Sequence, residues 1–279
     1  MAGFRGRLGL SKFGTFGDYP KESLQSAEAA LLTAWRSLDR YHNDLVLVGG
    51  LAVHYLTKRD AAGETPGAVT MDVDFGISLA ASGDQYGTIK SDLAGLDFKS
   101  ERNRLVRKFG NLNLYLDFLT EDPPSLTGAR IVDDVVASVI PGVNRALACR
   151  RIVPIKGRDL YGAEQECKVA VADIGPLLVL KLNAFGGPTG RRLPKDAYDV
   201  LLAVTSFVDG AEVAVTAFRA EAKVGNTGYE FALKALQKDF NDPAQDGPIR
   251  AAEFHPGNAE DRERVRESVA TVGRMLLGD

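Results

Sequence analysis

The period of the hydrophobic positions changes along the chain and predicts where strands give way to helices. Leu24, Ala27, Leu31, Ala34 and Leu38 recur at helical spacing in PKESLQSAEAALLTAWRSLDRY (20–41), which predicts a helix with Trp35 in the core. DLVLVGG (44–50) predicts a short strand ending in glycines, and LAVHYLTKR (51–59) a helix. DAAGETPGA (60–68) is a loop by its glycine and proline content. VTMDVDFGISL (69–79) reads as a strand and GDQYGTIKSDLAGL (83–96) as a helix. FKSERNRLVRKFG (98–110) and LNLYLDFLT (112–120) read as an antiparallel pair joined near Gly110 and Asn111. RRIVPIKGR (150–158) and CKVAVAD (167–173) predict short strands. From about Gly175 onward the pattern is helical, with Pro176 and Pro194 placed where helix starts tolerate proline.

These periods predict an α+β chain: an N-terminal mixed sheet with flanking helices, then a helical C-terminal half. Residues 1–20, rich in Gly and Phe, are expected as a loosely packed arm. The α/β domain is expected over 21–170 and the helical domain over 171–279.

Composition narrows the function classes. With 279 residues, 45% hydrophobic and 25% charged, the chain has ordinary globular composition and ample material for a core. No apolar run approaches the roughly 20 residues of a membrane span, so no membrane partner is expected. The first 20 residues lack an apolar stretch of signal-peptide length, and Cys149 and Cys167 do not form a disulfide framework. A reduced, cytoplasmic chain is the expectation. A net charge of −3 implies no global attraction to nucleic acid. The basic clusters RNRLVRK (102–108), CRRIVPIKGR (149–158) and GRRLPK (190–195) read first as solvated faces.

The chemistry concentrates in carboxylates. Asp72 and Asp74 are one residue apart in a strand, so they share a face, with Val73 and Phe75 on the other. In LNLYLDF, Asn113, Tyr115 and Asp117 likewise share a face. If the two strands are neighbours, three carboxylates converge, and they repel unless a cation neutralises them. Hard oxygen ligands suit Mg²⁺ or Mn²⁺. An isolated pair of this kind reads first as a solvated sheet face, so the context decides. Upstream, Gly49 and Gly50 follow a strand and open a helix, an arrangement that lets backbone N–H groups approach an anion.

Lys181 stands alone among Leu177, Leu178, Val179, Leu180 and Leu182, where it either snorkels to water or pairs with an anion. Asp196 and Asp199 lie three apart on one helix face. Asp199 reads best as a structural partner of Arg191 or Arg192, and the functional acid of the pair is left open. Arg102, Arg104 and Lys108 share a face if they lie on one strand, which would line a path for RNA. His42, His54 and His255 show no metal-ligand spacing.

The order strand, Gly-Gly, helix, T-x-D-x-D and later carboxylate resembles the nucleotidyltransferases of the DNA polymerase β superfamily. Thr70, Asp72 and Asp74 fill the T-x-D-x-D positions, and Arg59 resembles the basic residue that often precedes them. LLVLKLNAFGGPTGRRLPKDAYDVLLAV (177–204) resembles the K…R…KDxxDL segment of the AbiEii-type family, which includes toxins of bacterial toxin–antitoxin systems. The resemblance covers roughly residues 44–205, and departs from the family in the longer gap between Gly50 and Asp72.

The resemblance implies a nucleotidyltransferase-type sheet and transfer of a nucleoside monophosphate from an NTP to an acceptor, with release of pyrophosphate. Asp72, Asp74 and Asp117 would hold two Mg²⁺ or Mn²⁺ ions. Gly49, Gly50, Arg59 and Lys181 would hold the nucleotide, and Lys181 and Asp196 would complete the catalytic set. It favours RNA, tRNA in particular, over a protein hydroxyl or small molecule as acceptor, and implies a cognate antitoxin. Two readings from other classes stand beside it: a degenerate nucleotide- or partner-binding protein without turnover, and a DxD glycosyltransferase.

Overall fold

The computed structural model describes residues 13–58, 66–81 and 88–278. Arg59, expected at the nucleotide, residues 60–65 of the 60–68 loop and residues 1–12 of the expected arm lie outside the described residues.

The chain is mixed α/β. Helix α1 (Ser23–Ser37) precedes strand β1 (Leu45–Val48), helix α2 (Gly49–Leu56), strand β2 (Asp72–Ile77) and helix α3 (Ile89–Ala94). Strands β3 (Lys99–Glu101), β4 (Arg104–Phe109), β5 (Leu112–Thr120), β6 (Ala129–Val132) and β7 (Val135–Val139) follow. Helix α4 (Val143–Ala148) leads to β8 (Arg150–Arg158) and β9 (Glu164–Ala172). The remaining elements are helical: α5 (Ile174–Gly186), α6 (Pro194–Thr205), α7 (Ala211–Ala220), α8 (Tyr229–Asp239), α9 (Asp246–Phe254) and α10 (Ala259–Leu277).

The strands form one mixed sheet in the order β3-β4-β5-β2-β1-β9-β8, with β7 joined to β5 and β6 to β7. β1 is antiparallel to β2, whereas β2 and β5, and β1 and β9, run parallel. All four residues of β1 are buried, as expected of a central strand covered on both faces. α1 covers the face that carries Phe75 and Phe118, with Trp35 tilted against Phe75 at 6.0 Å between ring centres. Burying one such phenylalanine stabilises the fold by roughly 1.5–3 kcal/mol. The opposite face carries Asp72 and Asp74 and meets α2 and α4. Helices α5 and α6 pack on α2, so the helical segment walls the same region of the sheet.

Several expectations are corrected. The arm is anchored at its described end: Tyr19 is buried, edge-on to Phe13 and Phe254, and so tied to α9, while Gly14, Thr15, Gly17 and Asp18 stay exposed. The strands after Pro141 are not short, since β8 and β9 form a hairpin of nine residues each. FKSERNRLVRKFG is itself a hairpin, β3 and β4, turning at Arg102–Asn103 with Arg102 at φ +54°. Arg102 therefore does not share a strand face with Arg104. The β6–β7 hairpin was not read as strands from the sequence.

Candidate functional site

The site begins with strand register. β2 and β5 are parallel neighbours in which Asp74 stands beside Asp117 and Asp72 beside Tyr115. Period two places all four on one face, as expected. Thr70, buried ahead of β2, fixes the approach: its hydroxyl accepts from the Asp72 backbone N–H at 3.1 Å.

Gly49 opens α2 directly after β1, in the left-handed region at φ +72°. The Asp74 carboxylate lies against its bare Cα, and a Cβ there would fall 1.9 Å from Asp74 Oδ2. Gly50 is equally confined, since its Cβ would meet Thr70 Cβ at 2.9 Å and Lys195 Nζ at 3.0 Å. The two glycines thus let the helix start close over the acids.

Arg104 joins the carboxylates. Its Nε donates to Asp117 Oδ1 at 2.9 Å, and its Nη2 donates to Asp117 Oδ2 at 2.5 Å and to Asp72 Oδ1 at 3.2 Å. Its guanidinium lies 4.0 Å from the centre of the Tyr115 ring, a cation–π arrangement. Burial works against the Arg104 charge, but Asp72, Asp117 and Asp74 outweigh it and hold the guanidinium above its ordinary pKa.

A second charged group lies behind the glycines. Lys181 from α5 donates to Asp199 at 2.6 Å, and Lys195 from α6 donates to the same oxygen at 2.5 Å. Asp196 is within 3.8 Å of Lys181 and 3.6 Å of Arg191. All but Arg191 are buried, so this is a compensated ion network rather than a surface pair. Asp199 was expected to pair with Arg191 or Arg192. It pairs instead with the two lysines, while Arg192 reaches Asp239 and Asp246. Tyr19 lies near enough that Asp72, Asp199 and Asp196 add to burial in raising its phenol above the ordinary range, against a backbone hydrogen bond from Phe13.

The two groups meet in one cleft of about 840 Å³. It is lined by Asp74, Arg104 and Asp117 from the strands, Gly49 from the start of α2, and Lys181, Arg191 and Asp196 from α5, the segment after it and α6. Leu119, Ile140, Leu177 and Leu180 supply an apolar stretch. Asp72 lies behind this lining, 2% exposed, and Gly50 faces Thr70 and Lys195. Arg102 and Asn103 overhang from the β3–β4 turn.

The acids suit a hard divalent cation in kind, because Asp74 and Asp117 are carboxylates in register on one face of adjacent strands. Among the described residues, no three His, Cys, Asp or Glu side chains converge on one point as a ready metal cage. Arg104 instead holds the bridging position between Asp72 and Asp117. The histidines stand apart: His54 pairs with Glu28 at 3.3 Å, and His42 stacks on Trp35. Both cysteines are free thiols. No described helix is long and apolar enough to cross a membrane.

Arg104 was expected on a face lining an RNA path, but not as the partner of Asp72 and Asp117, and Tyr115 and Lys195 were missed as site residues. Arg104 was legible from the hairpin: counting back from the turn at Gly110 and Asn111 sets it opposite Asp117. Lys195 was legible from its i,i+4 spacing to Asp199. Compared with models of known protein families and with curated proteins, the chain matches none.

Proposed function

We propose that this chain is a metal-dependent nucleotidyltransferase that moves a nucleoside monophosphate from an NTP to an acceptor and releases pyrophosphate. One observation carries the reading. Asp74 and Asp117 stand in register on adjacent strands and line a cleft together with Gly49 at the start of α2, Lys181 and Arg191. Acids that suit a cation and bases that suit a polyphosphate are both needed to hold a metal–nucleotide, and about 840 Å³ is within the range of small-molecule sites.

Asp72, Asp74 and Asp117 would hold Mg²⁺ or Mn²⁺, which when bound neutralises charge on the attacking and leaving oxygens. The chain's own groups do the rest. Gly49 lets a phosphate approach the backbone N–H groups at the start of α2. Lys181 and Arg191 offset phosphate charge. Asp117 accepts the proton of the acceptor hydroxyl. Leu177 and Leu180 give the base an apolar wall. Asp196 orients Lys181 and Arg191, which flank it. In this reading residues 21–170 form the nucleotidyltransferase-type unit and 171–279 the helical one, in the cytoplasm. The RNA acceptor and a toxin role with a cognate antitoxin rest on the family resemblance alone.

A second reading, nucleotide or partner binding without turnover, is favoured by Arg104 bridging Asp72 and Asp117. Incubation with each of the four α-labelled NTPs and total cell RNA or protein tests both. Label in RNA with one NTP supports transfer and names the acceptor class. NTP binding without label in any fraction supports the second reading. Label from sugar nucleotides alone would move the chain to the glycosyltransferases.

A further inference from the structure

We infer that Arg104 is an internal counter-cation that shares one position with a divalent metal, so that metal loading requires the guanidinium to withdraw. The inference rests on the carboxylate part of the proposed function and is independent of nucleotidyl transfer.

Arg104 engages Asp117 through both carboxylate oxygens and Asp72 through Oδ1, so it occupies carboxylate oxygens that would otherwise be available to a cation. Arginine does not lose its proton in proteins, so it clears the position only by moving. A two-pronged Arg–carboxylate pair is among the stronger polar contacts, which makes the competition measurable.

The surroundings suit such a movement. Arg104 is the first residue of β4, directly after the Arg102–Asn103 turn, and its side chain is 23% exposed and lines the cleft. Asp72, by contrast, is 2% exposed, so the acid stays while the base has open space. Tyr115 gives the guanidinium a stacking surface beside the cleft. Arg107, on the opposite face of β4, is buried, whereas Arg104 reaches the cleft.

The test is Mn²⁺ binding without nucleotide, measured by isothermal titration and by electron spin resonance of free Mn²⁺. Arg104→Gln keeps a polar group on Tyr115 but removes the charge. It is expected to bind Mn²⁺ at least about tenfold more tightly than the unaltered chain, a difference of about 1.4 kcal/mol. Its melting temperature should fall in EDTA and recover more with Mn²⁺ than that of the unaltered chain. Equal or weaker Mn²⁺ affinity overturns the inference, as does binding by neither protein. Adding Asp117→Asn should abolish the gain. A gain that persists puts the ion elsewhere and also overturns it.

If Arg104→Gln does not melt cooperatively, Arg104→Lys carries the test. Its single prong should yield to Mn²⁺ several-fold more readily, and unchanged affinity counts against the idea. Tighter Mn²⁺ binding without NTP turnover would keep the competition and sink the proposed transfer. Turnover with unchanged Mn²⁺ affinity would do the reverse.

Discussion

The carboxylate of Asp74 rests against Gly49 so closely that a single added methyl group would lie 1.9 Å from its Oδ2. That contact joins the end of β1 to the acid of β2, and it makes Gly49 a determinant of where the acid points. Gly49→Ala is expected to cost about 1–2 kcal/mol from the positive φ alone. Displacing Asp74 by about 1 Å should also lower turnover on the order of 100-fold. Urea melts and NTP turnover measured on the same preparation check both. Full activity would show that Asp74 is not held by this contact.

The buried ion network predicts an order of stabilities. Lys181→Met leaves Asp199 paired with Lys195, so its cost should sit near the lower end of the roughly 3–5 kcal/mol typical of a broken buried pair. Asp199→Asn leaves two buried lysines without their shared acid and should cost more, about 5 kcal/mol. Chemical denaturation of the two variants gives the comparison. The opposite order would mean that Lys181 is not chiefly committed to Asp199.

Acid should destabilise the protein in two stages. Burial lowers the pKa of His255, which accepts a hydrogen bond from the Gly257 N–H, so the native state favours the neutral ring. That contribution is fully present above the unfolded value of about 6.5 and is lost as pH falls toward the lowered native value. For Asp246, burial acts upward, but Arg192 and Arg250 outweigh it and lower the pKa. Its contribution is present above the unfolded value of about 3.9 and is lost as pH falls through the native one. Urea midpoints should decline from about pH 6.5 downward, then further below about 4. His255→Asn should flatten the first stage only. A constant midpoint between pH 7 and 5 in the unaltered chain would contradict this account.

That Asp72 and Asp74 share a strand face was legible from the period. Their meeting Asp117 depends on the parallel β2–β5 pairing, which joins segments separated by β3 and β4 and which no local pattern encodes. Arg102 was misplaced because alternation was carried through it from Arg104 and Lys108, whereas it sits in a left-handed turn where alternation ends. Asp199 was read as a structural partner of Arg191 or Arg192, but it pairs with Lys181 and Lys195. Arg192, at φ +51° just before α6, turns away to Asp239 and Asp246. Those partners come from α8 and α9, and no local pattern encodes them. The docking of Tyr19 on Phe254 was hidden for the same reason, since the two lie at opposite ends of the chain.

The central claim is that Asp74 and Asp117 serve nucleotidyl transfer, and pyrophosphate release tests it most directly. With Mg²⁺ or Mn²⁺, the unaltered chain should release pyrophosphate from at least one of the four NTPs in the presence of total cell RNA. Asp74→Asn and Asp117→Asn, each keeping its size and a cooperative melt, should lower that rate on the order of 100–1,000-fold. No pyrophosphate from any NTP, or an undiminished rate in the double variant, would contradict the account.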